Sequence, residues 1–191
     1  IEELANIFLE QQNKNVENIN LVTPTSYVPQ IIEAIKIAKE RGLKIPIVYN
    51  TNGYENIETI KKLEGYIDIY LPDLKYAENK LGKRYSKIED YFEIATKAIK
   101  EMENQIGSPK FNDEGIMQRG VLVRHLVLPN NIENSKKVLK WMKDNLNLFD
   151  FTLNEEEMKQ ISSLDMGYSG SRAKHFEPDF VRMVLNNKIH D

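Results

Sequence analysis

Four short segments of this sequence carry residue types and spacings that can do chemistry. Arg124 lies inside an otherwise apolar run, Val121–Leu128, where period-2 alternation puts it on the face of Leu122, Leu126 and Leu128, with His125 on the other. A buried guanidinium requires an anionic partner, either a ligand or a carboxylate on a neighbouring strand. Asp73 and Lys75 follow the run Ile67–Leu71 at i, i+2 spacing. In extended chain they point to one side and suit a cation and an anionic group held together; otherwise they belong to a solvated loop after Pro72. Asn50-Thr51-Asn52-Gly53 offers amides and a hydroxyl to a ligand, and is equally turn chemistry. Thr23 and Thr25 flank Pro24 at the end of Asn18–Val22 in a turn of the same kind.

These segments do not add up to a self-sufficient catalytic constellation, so no catalytic residue is assigned. No glycine-rich phosphate cradle is present, and His125, His175 and His190 lack metal-ligand spacing. No Ser–His–Asp or Cys–His arrangement is visible. The chain has no cysteine, which excludes disulfides and thiolate metal sites, and no metal ligand is assigned. Its net charge of −3 over 191 residues, without a basic stretch, argues against nucleic acid as a partner. No apolar run approaches the ~20 residues of a membrane span, and nothing at the start resembles a signal peptide, so a cytoplasmic location is expected.

The elements that must position these segments alternate. Helical spacing of Leu4, Ile7 and Phe8 predicts a helix over 2–14, followed by a strand over Asn18–Val22. A helix from Val28 to Arg41 carries Ile31, Ile32, Ile35, Ile37 and Ala38 and stops at Gly42. A strand over Ile45–Tyr49, a helix from Ile57 to Leu63, a strand over Ile67–Leu71 and a long helix from Ile88 to Gln105 follow. Residues 107–119 read as a loop or small hairpin, Val121–Leu128 as the fourth strand and Ser135–Leu146 as a helix. This βα rhythm predicts parallel pairing through right-handed crossovers, in either a doubly wound sheet or a barrel. Both architectures place their sites at the carboxyl ends of the strands, where the four segments lie.

The four segments in order, Asn18–Thr25, Pro46–Tyr54, Asp68–Tyr76 and Val123–Pro129, resemble the radical SAM family, closest to its pyruvate formate-lyase-activating-enzyme-like branch, over about residues 1–146. The resemblance implies an α/β fold, a six-stranded partial (β/α) barrel with S-adenosylmethionine and a 4Fe–4S cluster at its mouth, of which this chain supplies an incomplete (β/α) barrel of four parallel βα units. It implies that Thr23 and Thr25 stand where the methionyl group is touched, though without the glycines of that motif. Thr51 and Asn52 lie in the family's TNG-like turn. Asp73 and Lys75 match residues near S-adenosylmethionine and, in some activating enzymes, a monovalent cation. Asn50 replaces an acid there, which argues against cation binding. Arg124 matches an arginine directed toward S-adenosylmethionine. The family's three cysteines belong upstream of the helix that opens this chain, so the chain alone cannot hold the cluster, and residues before Ile1 in a longer parent are expected to carry them together with the first strand.

Residues 147–191 resemble a different family. Phe149–Met158, Leu164-Asp165 and Lys174–Arg182 are similar to the C-terminus of an aldo/keto reductase, an NADPH-dependent complete barrel whose catalytic positions lie upstream of such a tail. Two helices are predicted in it, with a crossover near Asn145–Phe149 that makes the chain a chimera. The expectation is therefore a radical SAM fragment, inactive as written, whose partners are a glycyl-radical-type protein or a small-molecule substrate. The alternatives are an aldo/keto-reductase-derived chain using NADPH, or a non-catalytic remnant that binds a ligand or partner. Open sheet edges of an unfinished barrel would favour self-association.

Overall fold

The computed structural model describes residues 1–146, and the segment 147–191, with the two helices and the resemblance expected of it, lies outside them. The described residues form an α/β structure around a five-stranded sheet of order β1-β2-β3-β5-β4. In chain order the elements are α1 (Glu2–Asn13), β1 (Ile19–Val22), α2 (Val28–Glu40), β2 (Ile47–Thr51), α3 (Ile57–Lys62), β3 (Ile69–Pro72), α4 (Asn79–Ser86), α5 (Tyr91–Ile106), β4 (Lys110–Phe111), β5 (Met117–Val121) and α6 (Ile132–Asn145). β1, β2, β3 and β5 pair in parallel, while β4 adds to β5 as a short antiparallel hairpin.

Local sequence accounts for most boundaries. α2 starts with a proline in its first turn and buries Ile31, Ala34, Ile35 and Ala38, which recur at helical spacing. Gly42, with φ of 99°, then lets the chain turn where a side chain would be strained. Asn56 caps α3 by accepting a hydrogen bond from the Glu58 amide at 2.8 Å. The strands are rich in β-branched and aromatic residues.

Alternation divides each strand between two environments. Ile19, Ile47, Tyr49, Tyr70 and Val121 belong to a core with Phe8, Ile31, Ile35, Ile60 and Met102 from the helices. A second cluster joins Leu74 and Tyr76 to Tyr91, Ile99, Val138 and Met142, and so packs α5 and α6 over the exit of β3. The other sheet face carries Asn20, Val22, Val48, Asn50, Ile69, Leu71, Leu122 and Arg124. Val48 and Ile69 are buried on it, whereas Val22 and Leu122 are 69% and 53% exposed. That face is open toward the carboxyl ends of the strands.

Three expectations need correction. The fourth strand is not Val121–Leu128: it spans Met117–Val121, and beyond it, among the described residues, only one bridge, Arg124 to Asp73, continues the pairing. β3 ends at Pro72, so the chain past Arg124 has no neighbouring strand among the described residues, and Leu126 and Val127 are exposed. Hydropathy cannot tell a paired apolar run from an unpaired one. The helix α4 is absent from the sequence prediction because Leu81 is its only large buried apolar residue, among Lys80, Lys83 and Arg84. The helix expected from Ile88 begins at Tyr91 instead, since Lys87 adopts the left-handed conformation with φ of 60° and breaks the chain between α4 and α5.

Candidate functional site

The parallel strands β1, β2, β3 and β5 bring all four predicted segments to one end of the sheet. On the open face their side chains form a continuous polar strip. The Asn50 amide nitrogen donates to Asn20 Oδ1 at 3.3 Å, and Arg124 Nη2 donates to Asn50 Oδ1 at 2.8 Å. Arg124 Nε and Nη2 both lie 2.8 Å from Asp73 Oδ1, and Lys75 Nζ lies 3.4 Å from Asp73 Oδ2. Backbone bonds hold this register: the Arg124 amide donates to the Pro72 carbonyl at 2.9 Å, and the Leu74 amide to the Arg124 carbonyl at 2.8 Å.

Arg124 is therefore not a buried guanidinium. Its side chain is 46% exposed, against 21% for Asp73 and 31% for Lys75. The expected carboxylate partner is present, and Asp73 supplies it across the bridge. Among the described residues one carboxylate against two cations leaves the strip with an excess of one positive charge at its exposed end. Such a strip can take a zwitterion, with Arg124 or Lys75 facing an anionic group and Asp73 a cationic one.

Thr25 and Thr51 face the opposite way. Both hydroxyls donate to Glu55 Oε1, that of Thr25 at 2.7 Å, and the Tyr49 hydroxyl approaches the same oxygen at 3.4 Å. Glu55 is 2% exposed and Thr51 3%. The other oxygen, Glu55 Oε2, is buried without a hydrogen-bond partner among the described residues. Burial, foremost, and the neighbouring Glu55 charge hold the Tyr49 phenol above its ordinary pKa. Thr23 is exposed, sits in the left-handed region with φ of 53°, and donates its amide to the Asn50 carbonyl at 2.8 Å. A β-branched residue in that conformation is strained.

A third set of bonds fastens the loop after β2 to that after β3. The Tyr91 hydroxyl, from the start of α5, lies 2.9 Å from the carbonyls of both Asn52 and Asp73 and accepts from the Lys75 amide at 3.2 Å. Gly53 permits this approach, because a Cβ there would lie 2.1 Å from the Asp73 carbonyl oxygen. Asn52 itself is exposed and caps the turn by accepting from the Tyr54 amide at 2.9 Å. Burial raises the pKa of Tyr91 as well. Behind the strip, His125 bonds the Leu74 carbonyl at 2.7 Å and Ser135 at 2.9 Å, and Asn134 bonds the Ala77 amide and the Lys75 carbonyl, so α6 supports the exit of β3.

Of the predicted residues, Asp73, Lys75 and Arg124 meet on the open face with Asn50. Thr25 and Thr51 meet beneath the rim, while Thr23 and Asn52 lie on the rim itself. Sequence reasoning missed Glu55 and Tyr91. A single acid two residues beyond Gly53 and a tyrosine opening a helix bear no local signature of their partners. Among the described residues no cluster of His, Cys, Asp or Glu could hold a metal ion. No helix among them is long and apolar enough to cross a membrane.

Over 147 residues the chain is 30% identical to an uncharacterized protein of Methanocaldococcus jannaschii, an alignment covering 75% of this chain and 38% of that protein. The chain thus spans well under half the length of that relative. No family model matches it. No solved structure matches it significantly.

Proposed function

We propose that residues 1–146 are the S-adenosylmethionine-facing part of a radical SAM protein of the activating-enzyme-like kind, with the sheet a slice of a partial (β/α) barrel. The observation that carries this reading is the strip Asn50–Arg124–Asp73–Lys75, at the carboxyl ends of parallel strands and, among the described residues, with one positive charge in excess. Its donor set fits the aminoacyl end of S-adenosylmethionine: Arg124 and Lys75 face the carboxylate, Asp73 the ammonium group, and Asn50 and Asn20 extend the hydrogen-bonding surface. The chemistry that S-adenosylmethionine supplies in such proteins is its own reductive cleavage.

The 4Fe–4S cluster does not fit this chain, which has no cysteine to donate a thiolate. The role of these residues is accordingly to bind and orient. Equilibrium dialysis of the full chain against labelled S-adenosylmethionine tests the reading. Saturable binding that is lost in Arg124→Ala is expected; absence of saturable binding by the wild-type chain would overturn it.

A second reading has its own observation. Val22, Leu122, Leu126 and Val127 are between 53% and 69% exposed on or beside the open face, an apolar surface suited to a protein partner. Light scattering of the chain at rising concentration tests self-association, and a monomer throughout would count against it.

A further inference from the structure

We propose that Glu55 is a positioning residue: it clasps the loop after β1 to the loop after β2, and thereby sets the rim on which the polar strip depends, at a cost in stability. This inference deepens the ligand-binding reading above and rests on it for the identity of the ligand, but not for the clasp.

Glu55 follows β2 by four residues and lies between Gly53 and the cap of α3. Its Oε1 gathers a hydroxyl from each of three places: Thr25 after β1, Tyr49 inside β2 and Thr51 at the end of β2. Thr25 also lies 3.3 Å from the Tyr49 hydroxyl. Apart from strand pairing, these contacts are what joins the Thr23–Thr25 turn to the Thr51–Gly53 turn on the helical side. On the other side of the same strands, Asn20 and Asn50 bond each other and lead to Arg124. The spacing of β1 and β2 at their ends therefore acts on the strip where Asn20 meets Asn50, one bond away from Arg124.

The clasp is expensive. Glu55 is 2% exposed, and its Oε2 has no partner among the described residues. No described Lys, Arg or His forms an ion pair with it. A buried polar group left without a partner is destabilising, and replacing a whole buried polar cluster by apolar residues of similar shape is often neutral or stabilising. A carboxylate retained under those terms next to a ligand-facing rim is where local rules are expected to yield to function. A purely structural role predicts that stability and ligand affinity fall together. A positioning role at a cost predicts that they separate.

The test uses the full chain with Thr25→Val, Tyr49→Phe, Thr51→Val and Glu55→Met combined, beside Glu55→Gln, whose amide oxygen can accept the same hydroxyls. The readouts are Tm, hydrogen–deuterium exchange of the amides in 23–27 and 51–55, and the Kd for S-adenosylmethionine. In the combined variant we expect Tm equal to or above wild type, faster exchange in both segments, and affinity weakened roughly tenfold, as for outer partners that orient a binding group. Glu55→Gln alone should retain the slow exchange and the affinity of the wild type. Unchanged exchange in both segments, unchanged affinity, or a fall in Tm together with affinity in the combined variant would overturn the positioning role. If the combined variant does not fold, Thr25→Val alone decides, because it should speed exchange in 51–55 although Thr25 lies in the other loop. Should the wild-type chain fail to bind S-adenosylmethionine, the ligand reading falls and the exchange pattern still judges the clasp.

Discussion

The two faces of the sheet, at the same strand ends, handle polar groups in opposite ways. On the helical face Glu55 is enclosed, accepts three hydroxyls on one oxygen and leaves the other without a partner. On the open face Asp73 is paired with Arg124 and Lys75, and all three remain within reach of solvent. The enclosed carboxylate holds backbone loops to each other, and its contacts are hydroxyls from both of them. The exposed one meets long cationic side chains that can exchange it for a ligand at small cost, since surface ion pairs contribute little stability. Burial separates a fastener from a binding surface, although both are built on acids close to the same turn.

The comparison breaks most severely at Gly53, where both faces depend on close approach of two loops. Gly53→Ala would place a Cβ 2.1 Å from the Asp73 carbonyl at φ of 83°. It should cost more than about 3 kcal/mol in urea unfolding. Wild-type stability in that variant would mean that the loops are not held so closely.

Alkaline pH probes the buried face next. Burial, the largest influence in each case, raises the pKa of Tyr49, Tyr70 and Tyr91 above the ordinary value of 10.0. Their neutral forms are favoured in the folded state, so that stability is fully present below pH 10 and is lost as pH rises above it. Part of the tyrosinate absorbance of the nine tyrosines should therefore appear only together with unfolding; titration of all nine while the chain remains folded would contradict the enclosure of these phenols.

Tyr91→Phe should cost about 1–2 kcal/mol in denaturant unfolding, because the Lys75 amide and two carbonyls lose their shared partner. No change would show that solvent reaches those groups. Arg124→Ala sits at the small end for stability, within about 1 kcal/mol. Its effect should fall instead on S-adenosylmethionine binding, and a large loss of Tm would convert the strip from a binding surface into a structural ion pair.

Much of the fold was legible in the sequence because each βα unit carries its own periodicity and its own turn. Thr23–Thr25, Asn50–Gly53 and Pro72–Lys75 were placed at strand ends by local chemistry alone, and they do lie there. The register of the last parallel strand was not legible. Met117 and Arg119 pair because the hairpin partner β4 lies beside them, and Gly120 and Val121 because β3 does, while the more apolar Leu126 and Val127 have no strand to pair with among the described residues. The pairing of Arg124 with an acid from a neighbouring strand was anticipated as one of two readings; its exposure was not, because burial depends on what covers a face.

By itself the sequence determined the alternation of strands and helices, the turn types, the absence of thiolate ligands and the residues present at the strand ends. Only tertiary structure decided which way those residues face. Strand pairing brings Asn20, Asn50, Asp73 and Arg124 together from four separate segments, and the same pleat turns Thr51 away from them toward Glu55. Side-chain direction alternates at every residue, so a shift of one position in register exchanges the binding surface for the buried clasp. That register is fixed by contacts between strands, which no single segment contains.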